Sequence, residues 1–85
     1  MDQFECNRLK DFERIKDVIK QQLNWSGHLY PDFDYKYIKQ GWPTLEILCD
    51  NANETYEYTM LIKNKLCEDN MDYAIDVNKT TITVR

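Results

Sequence analysis

The chain has little of what catalytic and ligand-binding motifs are built from. Its 85 residues include two glycines, one histidine and one serine. Two glycines are too few for a glycine-rich phosphate loop. His28 and Ser26 lie two residues apart, a spacing from which a serine–histidine catalytic pair is hard to build. No apolar run approaches the roughly 18–20 residues of a membrane span. The sequence therefore disfavours phosphate-loop chemistry, serine catalysis and membrane insertion.

Paired cysteines and an excess of basic charge are also missing. Cys6, Cys49 and Cys67 are widely spaced and form no CxxC pair, so we expect reduced, partly buried thiols rather than a disulfide framework or a zinc site. Eleven basic residues stand against 15 acidic ones, a net charge of −4 that disfavours direct nucleic-acid binding. The N-terminus alternates charged and apolar residues instead of forming a secretory signal. We predict a cytoplasmic protein without metal or cofactor.

What is present is the composition of one folded domain. Hydrophobic residues make up 42% of the chain and aromatic residues 13%, which excludes a disordered chain. Residues 4–23 repeat apolar side chains at helical spacing and predict an amphipathic helix. Residues 53–68 predict a second helix, with capping oxygens before it and lysines near its end. Its predicted inward face holds Ala52, Tyr56, Thr59, Ile62, Leu66 and Cys67, with Met60 at the edge.

Two strand pairs account for most of the remaining chain. Residues 28–34 are expected to form a loop, and 35–39 and 44–49 predict a hairpin around Gly41 and its neighbours. The C-terminus alternates large apolar residues with polar ones. We predict a type I′ turn at Asn78–Lys79. This turn would pair Val77 with Thr80, Ile75 with Ile82, Tyr73 with Val84, and Asp72 with Arg85.

The element order is therefore α-β-β-α-β-β in a single domain, residues 1–85. We expect two helices on one face of a four-stranded antiparallel sheet. A ferredoxin-like sandwich runs βαββαβ, and moving its first strand to the end gives the same order. In that circularly permuted sandwich, strand 80–85 pairs with 44–49, which leaves 35–39 and 73–77 as the edges of the sheet.

Aromatic residues are concentrated between 25 and 42, where six of the eleven lie. A domain this small cannot bury all of them in loops, and exposed Trp and Tyr side chains are typical of binding hot spots. We predict four anchors for a protein partner: Trp25, Tyr30, Phe33 and Trp42. The alternative is that Trp25 and Trp42 cover the open end of the core.

Acidic residues form two stretches without a base. One lies between Gln40 and Ile62, and the other, which holds Glu68, Asp69, Asp72 and Asp76, lies between Leu66 and Asn78. An acidic face steers a protein toward a basic cleft, such as that of a nucleic-acid enzyme. The predicted steering charges are Asp32, Asp34, Asp50, Glu54 and Glu57. The alternative is ordinary solubility and charge at helix ends.

These features favour a small acidic binding protein with no catalysis of its own. We expect an inhibitor or regulator, monomeric or homodimeric, that docks on a larger protein, a nucleic-acid-handling enzyme being the partner class that an acidic face suits. In composition the chain resembles short acidic phage or mobile-element products, which implies an anti-defence role. Two alternatives remain: a hydrolase or nuclease centred on His28 with Asp32 or Asp34, and a structural protein that self-assembles through a sheet edge.

Overall fold

The computed structural model describes residues 3–23, 31–37 and 42–85, and confirms the predicted α+β architecture. The four strands form one antiparallel sheet in the order β1-β2-β4-β3, which is the order that the permuted ferredoxin-like sandwich requires. The elements along the chain are α1 Gln3–Leu23, β1 Asp32–Tyr37, β2 Pro43–Leu48, α2 Ala52–Glu68, β3 Ile75–Asn78 and β4 Thr81–Val84.

Each helix forms where local chemistry favours it. In α1, buried residues recur every three or four positions at Arg8, Phe12, Ile15 and Ile19, so one stripe of the helix faces the sheet. At the start of α2, the Asn51 side chain accepts a hydrogen bond of 2.8 Å from the Glu54 N–H. Such an N-cap satisfies a backbone donor that the first turn leaves without a partner.

The buried face of α2 differs from the predicted one. Thr55, Tyr58, Ile62 and Leu66 are buried, whereas Tyr56 is 71% exposed. Ala52 and Cys67 are also exposed, and Thr59 is half-buried. Ile62 and Leu66 are buried as predicted, and the rest of the predicted face was wrong because the buried stripe is rotated toward Thr55 and Tyr58. The physical reason is that rotation toward Tyr58 also brings Leu61 against the core, where it is partly buried, whereas the predicted face would leave Leu61 outside.

Strand β1 begins earlier than predicted. Asp32–Tyr37 overlaps the segment 28–34 that we expected to be a loop, while residues 38 and 39 lie outside the described part of the chain. The earlier start is explained by pairing, because Phe33 lies opposite Ile47 and Tyr35 lies opposite Leu45. Strand alternation thus begins at Asp32 and puts the two aromatic rings on the apolar side of the sheet.

The C-terminal hairpin forms with a register two residues away from the predicted one. Val77 pairs with Ile82 and Ile75 with Val84, and the turn residues are Lys79 and Thr80. Lys79, not Asn78, takes the positive φ of 57°. Arg85 lies opposite Ala74, with which it exchanges two backbone hydrogen bonds, and not opposite Asp72. A shift of two keeps every side chain on its face, so the alternation of apolar and polar residues does not distinguish the two registers.

The sheet has two unlike sides. On the helix side, both helices pack on the sheet and the core forms. On the open side, the alternate residues of the same strands are mostly half-buried or exposed, Thr44 being buried. The helix-side core consists of Phe12, Ile15, Ile19, Leu45, Ile47, Cys49, Tyr58, Ile62, Leu66, Ile82 and Val84. Neither described helix is apolar enough over its length to cross a membrane.

Candidate protein-binding surface

Carboxylates lie side by side on the open side of the sheet. Asp34 on β1 lies directly opposite Glu46 on β2, and Thr83 on β4 separates Glu46 from Asp76 on β3. We call Asp34, Glu46 and Asp76 the acid row. Like charges that are directly opposite in an antiparallel pair destabilise the sheet. The Asp34–Glu46 pair is therefore a feature that folding alone does not favour.

Two bases flank the acid row. The Lys36 ammonium lies 3.2 Å from an Asp34 carboxylate oxygen, and the Arg85 Nε lies 2.6 Å from an Asp76 oxygen. The hydrogen bond to Asp34 raises the pKa of Lys36, and the charges of Asp34 and Glu46 raise it further. Both ion pairs are more than half exposed, so solvent screens them and they contribute little to stability.

Trp42 lies at one end of the same sheet, where its ring packs on the side chain of Arg8 from α1. Its side chain is 50% exposed, and the Arg8 guanidinium lies 5.9 Å from the ring centroid. Arg8 is itself nearly buried and donates from Nε (3.1 Å) and Nη2 (2.9 Å) to the Pro43 carbonyl oxygen. The guanidinium also lies over the rings of Phe12 and Tyr73, at 5.3 and 5.0 Å. A fixed cation thus supports a half-exposed indole.

A cavity of about 300 Å³ adjoins Trp42. Besides Trp42 and Arg8, it is lined by Thr44, Ala74 and Arg85. Arg85 also makes the ion pair with Asp76. The half-exposed indole, the cavity and the acid row are therefore parts of one continuous surface.

The structure brings some of the predicted site residues together and separates others. Asp32 and Asp34 lie on the open side of β1, and Trp42 immediately precedes the first residue of β2. Phe33 lies on the helix side, partly buried against the core, with the Lys16 and Lys20 ammonium groups 5.7 and 5.9 Å from its ring centroid. Its position is that of a packing residue. Trp25, Tyr30 and His28 lie outside the described residues.

The three predicted acids around α2 occupy a different part of the molecule. Asp50 and Glu57 are exposed. The Glu54 carboxylate accepts a hydrogen bond of 3.1 Å from the Asp50 N–H while its own N–H donates to Asn51. This arrangement resembles a capping box in which Glu54 reaches the N–H of Asp50, the residue before the N-cap, and it gives Glu54 a structural role at the helix start. For Glu54, the alternative interpretation, that the acidic residue is charge at a helix end, agrees with these hydrogen bonds.

A second cleft, of about 370 Å³, lies between α1 and the segment that follows α2. Here the Tyr73 hydroxyl donates a 2.6 Å hydrogen bond to Asp11. Burial, together with this bond and the charge of Asp11, raises the pKa of Tyr73 to about 12. Asp69 accepts from Lys65 at 3.0 Å and lies 3.7 Å from Arg14. These charges pair with one another, and Tyr73 keeps its proton at neutral pH. The residues of this cleft therefore connect α1 to the segment that follows α2.

Sequence reasoning missed Arg8, which connects both clefts. The available signal was its place on the apolar stripe of α1, four residues before Phe12. A cation at such a position must find a buried partner. The partner, a carbonyl 35 residues away, is visible only in the fold.

The cysteines and carboxylates offer no metal site within the described ranges. All three cysteines are free thiols: Cys49 is buried, Cys6 half-buried and Cys67 exposed. Burial raises the pKa of the Cys49 thiol, which makes it a poor nucleophile at neutral pH. Comparison of the chain with protein-family models, curated proteins and solved structures gives no match.

Proposed function

We propose that this chain is a non-enzymatic binding protein that docks on a larger protein through the open side of its sheet. The observation that carries the proposal is that one surface combines a braced, half-exposed Trp42 with the acid row. Tryptophan is among the residues most enriched in binding hot spots, and an anchor that is already fixed loses little side-chain entropy on binding.

The acid row supplies the charge complementarity. Asp34 and Glu46 face each other at the spacing of adjacent strands, about 4.8 Å. A partner's lysine or arginine that inserts between them would relieve their mutual repulsion, so binding would recover free energy that folding loses. Opposite charges across an interface mainly increase the association rate and specificity, and this effect weakens with salt.

The class of partner follows from the same chemistry. A cleft that binds a phosphodiester backbone presents lysines and arginines to successive negative charges. We propose a nucleic-acid-handling enzyme as the partner, with the acid row occupying its basic cleft. In this proposal the chain acts in the cytoplasm as an inhibitor of the kind that phages and mobile elements use against host defence.

The test is a pull-down from nuclease-treated bacterial lysate with four variants, read by quantitative mass spectrometry at low and high salt. Trp42→Ala removes the anchor, and Asp34→Asn with Glu46→Gln neutralises two acids of the row. Tyr56→Ala is the matched aromatic control, because Tyr56 is 71% exposed on α2. Asp17→Asn with Glu68→Gln is the matched charge control, since both side chains are exposed on helices.

We expect one protein to be captured by the wild type and both controls and to be lost, by roughly tenfold or more, with either surface variant. Salt should weaken capture by the wild type more than capture by the neutralised variant. Added duplex DNA should displace the chain from a captured nucleic-acid enzyme. Equal capture by all four variants, each folded by circular dichroism, would show that this surface is not the binding site.

A further inference from the structure

The outer edge of β3 carries backbone groups that no described residue pairs. β3 hydrogen-bonds to β4 on one side and is the last strand of the sheet. Ala74 and Arg85 exchange two backbone hydrogen bonds, at 3.1 and 2.9 Å. Because hydrogen-bonded positions alternate along an antiparallel strand, Ala74 and Asp76 face β4, whereas the N–H and C=O groups of Ile75 and Val77 point to the free edge.

Apolar side chains are exposed beside this edge. Four large apolar side chains of the described residues are exposed. Val77 (51%) lies on β3 itself, and Tyr56 (71%) and Met60 (42%) lie on α2. The flank of α2 that carries Lys65 is the one near α1, because Lys65 pairs with Asp69, which in turn contacts Arg14 of α1. Tyr56 and Met60 lie on the opposite flank of α2 and therefore face away from α1.

We propose that the occupant of this edge is a second copy of the same chain, which pairs its β3 antiparallel to the first across a two-fold axis. Residues directly opposite in such a pair lie on the same face of the sheet. The axis must therefore pass through a position at which one residue lies opposite its own copy, because only then do the apolar sides of the two sheets join. We call this residue the centre of the pair. The candidates are Ile75, Asp76 and Val77. This inference does not depend on the proposed function.

Charge and backbone geometry select among the three centres. A centre at Asp76 places this carboxylate against its own copy, at the closely spaced type of pair, where like charges repel most. A centre at Val77 places Ile75 against Lys79, whose φ of 57° ends the extended backbone. A centre at Ile75 has neither defect, because Asp76 then faces Ala74 and the outward-pointing groups of Ile75 meet their own copies.

The centre at Ile75 also covers the exposed apolar surface. Val77, half exposed in the single chain, would lie opposite Tyr73 of the second copy, a β-branched–aromatic cross-strand pair of the kind that stabilises sheets. Ile75 would be covered by Ile75 of the second copy. Asp72 would face Asn78, which accepts or donates hydrogen bonds without repulsion. Edge strands with unpaired backbone groups readily pair in this way.

Sedimentation equilibrium tests whether the dimer forms, at concentrations from micromolar to millimolar. We expect the mass to rise with concentration from 10.3 kDa toward twice that value. Val77→Lys should raise the dissociation constant by roughly tenfold or more, because it sets a charge against an aromatic ring in a closed edge. The matched control is Asn64→Lys, the same added charge at an exposed position of α2, which should dimerise like the wild type.

Disulfide crosslinking tests the register in a background in which Cys6 and Cys67 are replaced by serine. Ile75→Cys should form a covalent dimer on oxidation, because hydrogen-bonded partners lie about 5.5 Å apart between Cα atoms. Val77→Cys is the control, since four residues of offset separate its two copies by about 13 Å. Crosslinking of Val77→Cys but not of Ile75→Cys would overturn the register. A mass of 10.3 kDa at every concentration would overturn the dimer itself.

Discussion

The two sides of the sheet are made from alternate residues of the same four strands, yet different physical requirements determine which residues each side carries. On the helix side, Ile47 and Ile82 face each other with no exposed surface and are fixed by packing. On the open side, Asp34 and Glu46 face each other although their charges repel. Stability thus explains the first pair and not the second. The helix side therefore serves the fold, and the open side is the surface on which the proposed binding function depends.

The largest expected effect is the loss of a helix-side residue. Ile47→Ala should lower the free energy of unfolding by about 2–5 kcal/mol, because it leaves a cavity in a core that is fully buried at this position. Thr83→Val, one residue from Ile82 on the open side, should change it by less than about 0.5 kcal/mol. Urea denaturation of both variants measures the difference. Equal losses would mean that the open side is also packed.

A smaller effect is expected at Tyr73, which ties the segment after α2 to α1. Tyr73→Phe removes the hydrogen bond to Asp11 and should cost about 1–2 kcal/mol at neutral pH. The pKa of Tyr73 is about 12 in the folded chain and about 10 in an unfolded one, so folding favours the protonated form. This contribution is complete below about pH 10 and is lost as the pH rises through 12.

The pH dependence separates Tyr73 from the rest of the core. Urea denaturation between pH 9 and 12 should show the wild type losing stability more steeply than Tyr73→Phe. Tyr58, whose pKa burial also raises to about 12, remains in both proteins and keeps part of the slope. Identical slopes would show that the hydroxyl of Tyr73 does not favour the folded state.

The smallest expected effect has the opposite sign. Glu46→Gln removes the repulsion with Asp34 and should raise the free energy of unfolding by some tenths of a kcal/mol at low ionic strength, with less gain in high salt. The same change belongs to the variant that should lose its partner. A substitution that stabilises the fold while it weakens binding would separate the two sides most sharply. A loss of stability at Glu46→Gln would instead show that the carboxylate supports the sheet.

The fold was predictable where the spacing of apolar residues allows only one buried face. The stripe through Phe12, Ile15 and Ile19 leaves no choice for α1, and alternation marks both C-terminal strands. The prediction was wrong where the sequence allows two arrangements that bury similar apolar residues. Tyr56 and Tyr58 both allow an apolar face for α2, and a two-residue slip of the last hairpin preserves its alternation.

The candidate surface was predictable only in its parts. Trp42, Asp32 and Asp34 stood out by residue type, and the register that sets Asp34 opposite Glu46 came from the fold. Arg8 under Trp42 joins residues 34 positions apart, a contact that no local pattern encodes. The aromatic segment around Phe33 predicts an exposed anchor, but strand alternation puts this side chain on the helix side.

The position of β4 has a consequence for how the chain is made. β4 follows β3 along the sequence, but it lies between β2 and β3 inside the sheet. During synthesis on the ribosome, β1 and β2 emerge first and can pair, while the inner edge of β2 stays open until the final strand appears. During this interval the backbone edge of β2 that β4 later covers, residues 45–48, is open to other nascent chains. Aggregation during expression should therefore depend on how quickly the last strand follows α2.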